Sequence, residues 1–275
     1  MSDTDHIRPA ATAGSFYPRD ATVLAHDVHS LLAAAGPARG NAPKATPKAL
    51  IVPHAGYIYS GPVAASAYAL LTSVRQVIRR VVLFGPAHRV PLRGLALPVA
   101  EAFATPLGIV AIDAEAATAA LALPQVTASD VAHNLEHSLE VQLPFLQSIL
   151  AEFSIAPFAV GAASADQVAE VIDLLWGGPE TLIVISSDLS HFHDYAAARE
   201  IDRGTVDDIL ACEPLTDREQ ACGATPINGL LLCAKRRGMQ IELLDMCNSG
   251  DTAGDRARVV GYASFALTEA AHERH

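Results

Sequence analysis

Short apolar runs bounded by turn residues set the rhythm of the chain. Ala49-Leu50-Ile51-Val52, Val81-Val82-Leu83-Phe84 and Leu182-Ile183-Val184-Ile185 are continuous rather than alternating, as expected of strands buried on both faces. Further strands are predicted over 108–112, 155–160, 240–244 and 259–267, with the direction of the last two left open. Helical spacing predicts helices over 20–35, 61–71, 114–121, 137–150, 165–176, 195–210 and 226–237. The second of these places Ala64, Ala67, Tyr68 and Leu71 on one face; the fourth does the same with Leu139, Leu143, Leu146 and Ile149. Strands alternating with helices predict an α/β fold, with a central mostly parallel or mixed sheet flanked by helices on both faces. The Gly-, Pro- and Ala-rich stretch 36–48 reads as a loop ahead of the first central strand. One domain over 1–275 is expected.

Composition agrees with that picture. Apolar residues make up 51% and charged residues 18% of the 275, enough for a large core and too apolar for disorder. The net charge of −11 comes with no Lys/Arg run, which argues against a nucleic-acid partner. No stretch approaches the roughly 20 apolar residues that span a bilayer, and the first residues carry no apolar signal segment. A cytoplasmic location and no membrane contact are expected. The four cysteines include no C-x-x-C pair, so neither a disulfide framework nor a zinc ribbon is expected.

The chemistry sits just past the strands. His54, His88 and His191 each follow one of the apolar runs, and ligands of open α/β sheets bind beyond the carboxyl ends of strands. Gly56 gives the first turn backbone freedom, and Gly85-Pro86-Ala87-His88 repeats its logic. Tyr57 either lines the pocket or packs. Asp188 and His191 share a pocket if their segment opens a helical turn, in which case Asp188 orients the imidazole; Ser187 or Asp188 is also an N-cap candidate. Glu136 and His137 open the helix predicted over 137–150 and are expected to support the site or touch substrate, with His133 a weaker candidate. Cys222 precedes a helix with Thr225 as N-cap and Pro226 in its first turn. A thiol there is expected to have a lowered pKa. Thiolate plus imidazoles suits Fe(II), Cu or Zn. No G-x-S-x-G, Walker or G-x-G-x-x-G motif occurs.

Pro53-His54-Ala55-Gly56-Tyr57, Gly85-Pro86-Ala87-His88, Glu136-His137-Ser138-Leu139-Glu140, Ser186-Ser187-Asp188-Leu189-Ser190-His191 and Cys222-Gly223 follow in the order found in the Memo family. The early Gly14-Ser15-Phe16-Tyr17-Pro18 also matches, so the chain resembles that family over nearly its whole length. Prokaryotic members are often called AmmeMemoRadiSam system protein B. The family is similar to class III, LigB-type extradiol dioxygenases, non-haem Fe(II) enzymes of α/β architecture. The resemblance implies that His54 and His88 are metal ligands and that Cys222 stands where those enzymes carry a glutamate. It implies that His191 is the catalytic acid/base, with Asp188 in the same cleft. A thiolate in place of the carboxylate makes a softer set that also accepts copper, so catechol cleavage does not carry over with the fold. The expectation is a non-haem Fe(II) or copper oxidoreductase acting on a small molecule or peptide. A non-catalytic Memo-type metal- or peptide-binding scaffold and a zinc hydrolase are the alternatives. AMMECR1-like and radical-SAM proteins are the partners that the family association implies.

Overall fold

The computed structural model describes residues 6–36 and 46–269; most of the loop expected over 36–48 lies outside them. The strands, in chain order, are β1 Ile7–Arg8, β2 Ala49–Val52, β3 Arg80–Pro86, β4 Leu95–Leu97, β5 Ala102–Thr105, β6 Gly108–Ala111, β7 Val126–Ala128, β8 Ser154–Val160, β9 Thr181–Ser186, β10 His191–His193, β11 Gln240–Asn248 and β12 Val259–Thr268. The helices are α1 Ala21–Ala35, α2 Tyr57–Tyr68, α3 Ala114–Leu121, α4 Asp130–His133, α5 Leu143–Ile149, α6 Ala165–Leu174, α7 Tyr195–Leu210 and α8 Ala224–Arg237.

The central sheet runs β10-β12-β2-β9-β3-β8-β4-β7, with β11 on β12. Its middle, β2-β9-β3-β8, is parallel, whereas β12 is antiparallel to β2 and β11 to β12. The sheet is therefore mixed, and the open question of the late strands resolves as antiparallel. Strands β1, β5 and β6 form a separate small sheet.

Successive residues of the parallel strands point to opposite faces, and each face has its own apolar core. Ile51, Val82, Phe84, Phe158, Ile183 and Ile185 pack on one side with α3, α6, α7 and α8. Leu50, Val52, Val81, Leu83, Leu182 and Val184 pack on the other with α1, α2 and α5. Burial on both faces is why these runs are apolar without interruption.

Local chemistry moves several boundaries. Helix α2 starts at Tyr57, four residues before the expected start, and accommodates Pro62 in its second turn. The helix expected over 137–150 is only a 3-10 turn, Glu140–Gln142, followed by α5 with Pro144 in its first turn. The Glu136 carboxylate accepts the amides of His137 and Ser138, both at 3.0 Å, and Pro144, with no N–H to donate to the Glu140 carbonyl, divides the stretch that follows. Helix α8 starts at Ala224 with Gly223, not Thr225, as its cap. The segment after β9 is no helical turn either: it runs through a loop into β10, which pairs with β12.

Candidate metal centre

Because β2, β3 and β9 are parallel, their carboxyl ends share one edge of the sheet, and the residues just beyond them meet there. His54, His88 and Cys222 each offer one donor atom, and the three atoms lie within 4.8 Å of one another. Cys222 Sγ is 3.3 Å from His54 Nε2. Metal–donor bonds of about 2.0–2.3 Å place ligand atoms roughly 3–4 Å apart, so the three fit one transition ion after only slight tightening.

Hydrogen bonds fix how each imidazole presents itself. His54 is 2% exposed, and its Nδ1 lies 2.9 Å from Ser186 Oγ. That hydroxyl gives its single proton to the Ser138 carbonyl at 2.6 Å and accepts from Gln142 Nε2 at 2.8 Å. His54 must therefore be the donor to Ser186, which leaves the Nε2 lone pair facing Cys222. His88 Nδ1 lies 2.9 Å from Glu136 Oε1, and its backbone N–H donates to Oε2 at 2.6 Å. The carboxylate can only accept, so His88 also carries its proton on Nδ1. Both rings thus have the tautomer of a metal-binding histidine with a fixed acceptor behind it. Glu136, charged and well bonded, is held down at a pKa of about 2, its partners outweighing its burial. Burial, with His137 and His88 as neighbours, keeps His54 neutral by lowering its pKa well below the usual histidine value.

Cys222 departs from expectation. In the metal-free chain, burial and the nearby Asp188 push its thiol up to about 12, so proximity to α8 does not win. A cation is what would draw the proton off. Its position is fixed by its own N–H donating to the Asp188 carbonyl at 3.2 Å and by the Gly223 N–H donating to Ser187 Oγ at 2.9 Å. A Cβ on Gly223 would sit 2.6 Å from Ser187 Cβ, so only glycine permits that approach.

The other expected residues are placed as follows. Asp188 is buried, and its Oδ1 accepts the His54 N–H at 2.7 Å; burial raises its pKa to about 7. The ring of His191 is oriented not by Asp188 but by the Leu189 carbonyl, 2.8 Å from Nδ1. Burial lowers the His191 pKa below the usual value. His137 packs its ring 4.7 Å from His88, 5.3 Å from His54 and 4.6 Å from Phe16. Its buried Nδ1 has no hydrogen-bond partner among the described residues. Tyr57 packs: its hydroxyl donates to the Val141 carbonyl at 2.7 Å and its ring lies against Tyr17 and Phe145. His133 is elsewhere, buried with Nε2 on the Ala96 carbonyl at 2.8 Å.

Sequence reasoning missed Ser186, Gln142 and Ser138, which orient His54. It also missed Arg8, whose guanidinium forms a buried ion pair with Glu140. The signal available was the polar Ser186 ending an otherwise apolar strand. A cavity of about 450 Å³ opens onto the centre, walled by His88, His191, His193, Arg218, Glu219 and Cys222.

Fold and site together define a mixed-sheet α/β protein with a two-histidine, one-cysteine donor set at the carboxyl edge of its central strands. The family model described as Memo-like protein matches residues 8–266. A protein of Methanosarcina mazei is 38% identical over 232 residues, covering 78% of this chain and 84% of its own. One of Aquifex aeolicus is 36% identical over 275 residues, 93% and 97% of the two chains. One of Sulfolobus acidocaldarius is 34% identical over 279 residues, 94% and 98%. All three carry the name MEMO1 family protein. The chain belongs to the Memo family. None of its described helices is long and apolar enough to cross a membrane.

Proposed function

We propose that the chain is a metal-dependent oxidoreductase that holds Fe(II), or alternatively copper, through His54 Nε2, His88 Nε2 and Cys222 Sγ, and acts on a small molecule in the adjoining cavity. The observation that carries this reading is the convergence of the three donors within 4.8 Å, with both imidazoles held in the ligand tautomer by acceptors behind them. A bound iron or copper ion would supply Lewis acidity and one-electron chemistry.

The chain's own residues supply orientation and proton handling. Ser186 and Glu136 fix the two rings, and Asp188 holds the peptide that carries His54. His191 lines the cavity. With Nδ1–H on the Leu189 carbonyl and a pKa below the usual value, it stands neutral at pH 7 and accepts a proton at Nε2.

Metal analysis of anaerobically purified protein, with Fe(II), Cu(I) and Zn(II) titrations, tests the reading. One equivalent of iron or copper, lost in Cys222→Ala and His54→Ala, together with O2 uptake by the loaded protein, is expected. Zinc alone bound at these residues, with no O2 uptake, would favour a zinc hydrolase instead. No metal bound would end the proposal.

A further inference from the structure

One wall of the cavity, with Arg218, Glu219 and Cys222, is built by the segment between α7 and α8, and hydrogen bonds tie that segment down. Leu215 N–H donates to Asn228 Oδ1 and Asn228 Nδ2 donates back to the Leu215 carbonyl, both at 2.8 Å. Gln220 Oε1 accepts the amides of Thr216 and Asp217 at 2.9 and 3.2 Å, while its Nε2 donates to Asp208 at 3.0 Å. Arg218 and Glu219 are thus carried on a turn tied to both flanking helices, and α8 is the helix that Cys222 precedes. Among the described residues no carboxylate pairs with Arg218, whose one side-chain hydrogen bond is a long contact of 3.5 Å from Nη2 to the Gly161 carbonyl. Most of its guanidinium fork is free.

The rest of the cavity is poor in charge. His88, His191, His193 and Cys222 contribute imidazoles and a thiol, and the net charge of −11 repels anions at long range. Discrimination for an anion therefore has to come from a fixed local cation, and Arg218 is the cation on this wall. A planar guanidinium binds carboxylates and phosphates bidentately. Glu219 lines the same cavity, and a carboxylate there opposes a dianion more than a monoanion. A volume of about 450 Å³ is in the range of small-molecule sites.

We infer that the cavity takes a small organic monocarboxylate and that Arg218 is the specificity-determining residue that grips its carboxylate group. The inference rests on the proposed function only in treating the ligand of this cavity as the substrate; the grip itself requires no metal.

The test is a titration of metal-free protein, followed by 15N NMR, with benzoate and separately with inorganic phosphate. Benzoate is expected to saturate and to shift the Arg218 Nε–Hε resonance. Arg218→Gln should weaken benzoate about 10- to 100-fold, as loss of a charge-assisted hydrogen bond implies. Arg218→Lys, which keeps the charge and loses the fork, should fall between. Phosphate should bind more weakly than benzoate and gain in Glu219→Gln. Arg218 is exposed, so thermal melting should not move in either of its variants. Equal benzoate affinity in wild type and Arg218→Gln, or phosphate binding tighter than benzoate in wild type, overturns the inference. Metal loading is measured in parallel. Normal loading without benzoate binding sinks the inference alone; benzoate binding without metal uptake sinks only the proposed function.

Discussion

Ser186 decides which nitrogen of His54 is free. Its hydroxyl proton goes to the Ser138 carbonyl at 2.6 Å, so the 2.9 Å contact with His54 Nδ1 must be donated by the ring. Ser186→Ala removes the acceptor and lets His54 rotate or change tautomer. The expected result is metal affinity lowered by about 10- to 100-fold, the usual range for outer partners of ligating histidines. The buried Gln142 amide also loses one of its two acceptors, costing about 1–3 kcal/mol of stability. Chelator competition and urea unfolding read the two effects separately, and unchanged affinity would show that Ser186 does not set the tautomer.

Glu136 supports His88 in a different way. Its two oxygens take the His88 ring and backbone N–H groups and also the amides of His137 and Ser138. Glu136→Gln keeps the shape and removes the charge. Metal affinity should fall by about tenfold or more with the fold retained, as shown by an unchanged circular dichroism spectrum. Glu136→Ala should instead destabilise the turn itself, leaving the buried Ser138 amide and the half-buried amides of His88 and His137 without their acceptor.

At Gly223 the constraint is steric. Since a Cβ would stand 2.6 Å from Ser187 Cβ and 2.7 Å from its Oγ, Gly223→Ala must push α8 and β9 apart. Overpacking of this kind costs about 1–3 kcal/mol, and it should displace Cys222 enough to abolish metal uptake while leaving a cooperative unfolding transition. Double substitution with Ser187→Gly should recover part of both losses. Failure of that rescue would place the constraint at the Ser186 carbonyl, 3.1 Å from the same Cβ position.

The legible part of the sequence was the part governed by repetition. The runs at Ala49–Val52 and over 81–84 and 182–185 are buried on both faces, and the histidines after the first two fall at one sheet edge because the strands are parallel. Joining Cys222 to His54 and His88 as one donor set rested on the resemblance to the Memo family, since nothing in the spacing of residues so far apart brings them together. What could not be read was set by single tertiary contacts. The stretch after Glu136 has helical spacing, yet Pro144 has no N–H to give the Glu140 carbonyl, and a 3-10 bond from Leu143 takes its place. The lowered thiol pKa expected of Cys222 rested on the helix alone, whereas burial and Asp188 decide it. Asp188 is spaced to serve His191, but it serves the backbone of His54. Strands as short as β4, β7 and β10 carry too few residues to show a period.

Acid should lower stability in two stages, and to each stage a group remote from the metal ligands contributes. His133 is 1% exposed, and burial lowers its pKa from 6.5 to about 4. The unfolded chain binds that proton first, so the stability held in neutral His133 is complete above pH 6.5. It is lost as pH falls toward 4, about 3 kcal/mol over the window. Glu140 follows. Its pKa is lowered from 4.5 by Arg8, Tyr17 and the Ala11 and Thr12 contacts, which together outweigh its burial. Its contribution is present above 4.5 and disappears as pH drops through the lower folded value. Urea unfolding at intervals between pH 3.5 and 7.5 should therefore show stability declining from about 6.5 downward and steepening below 4.5. His133→Gln should flatten the upper stage by about one proton. Arg8→Ala leaves Glu140 charged, buried and unpaired, and should cost about 3–5 kcal/mol at pH 7 but less near pH 4, where protonation of Glu140 relieves it. A stability curve level from pH 7.5 to 5, or an Arg8→Ala penalty that grows on acidification, would contradict these assignments.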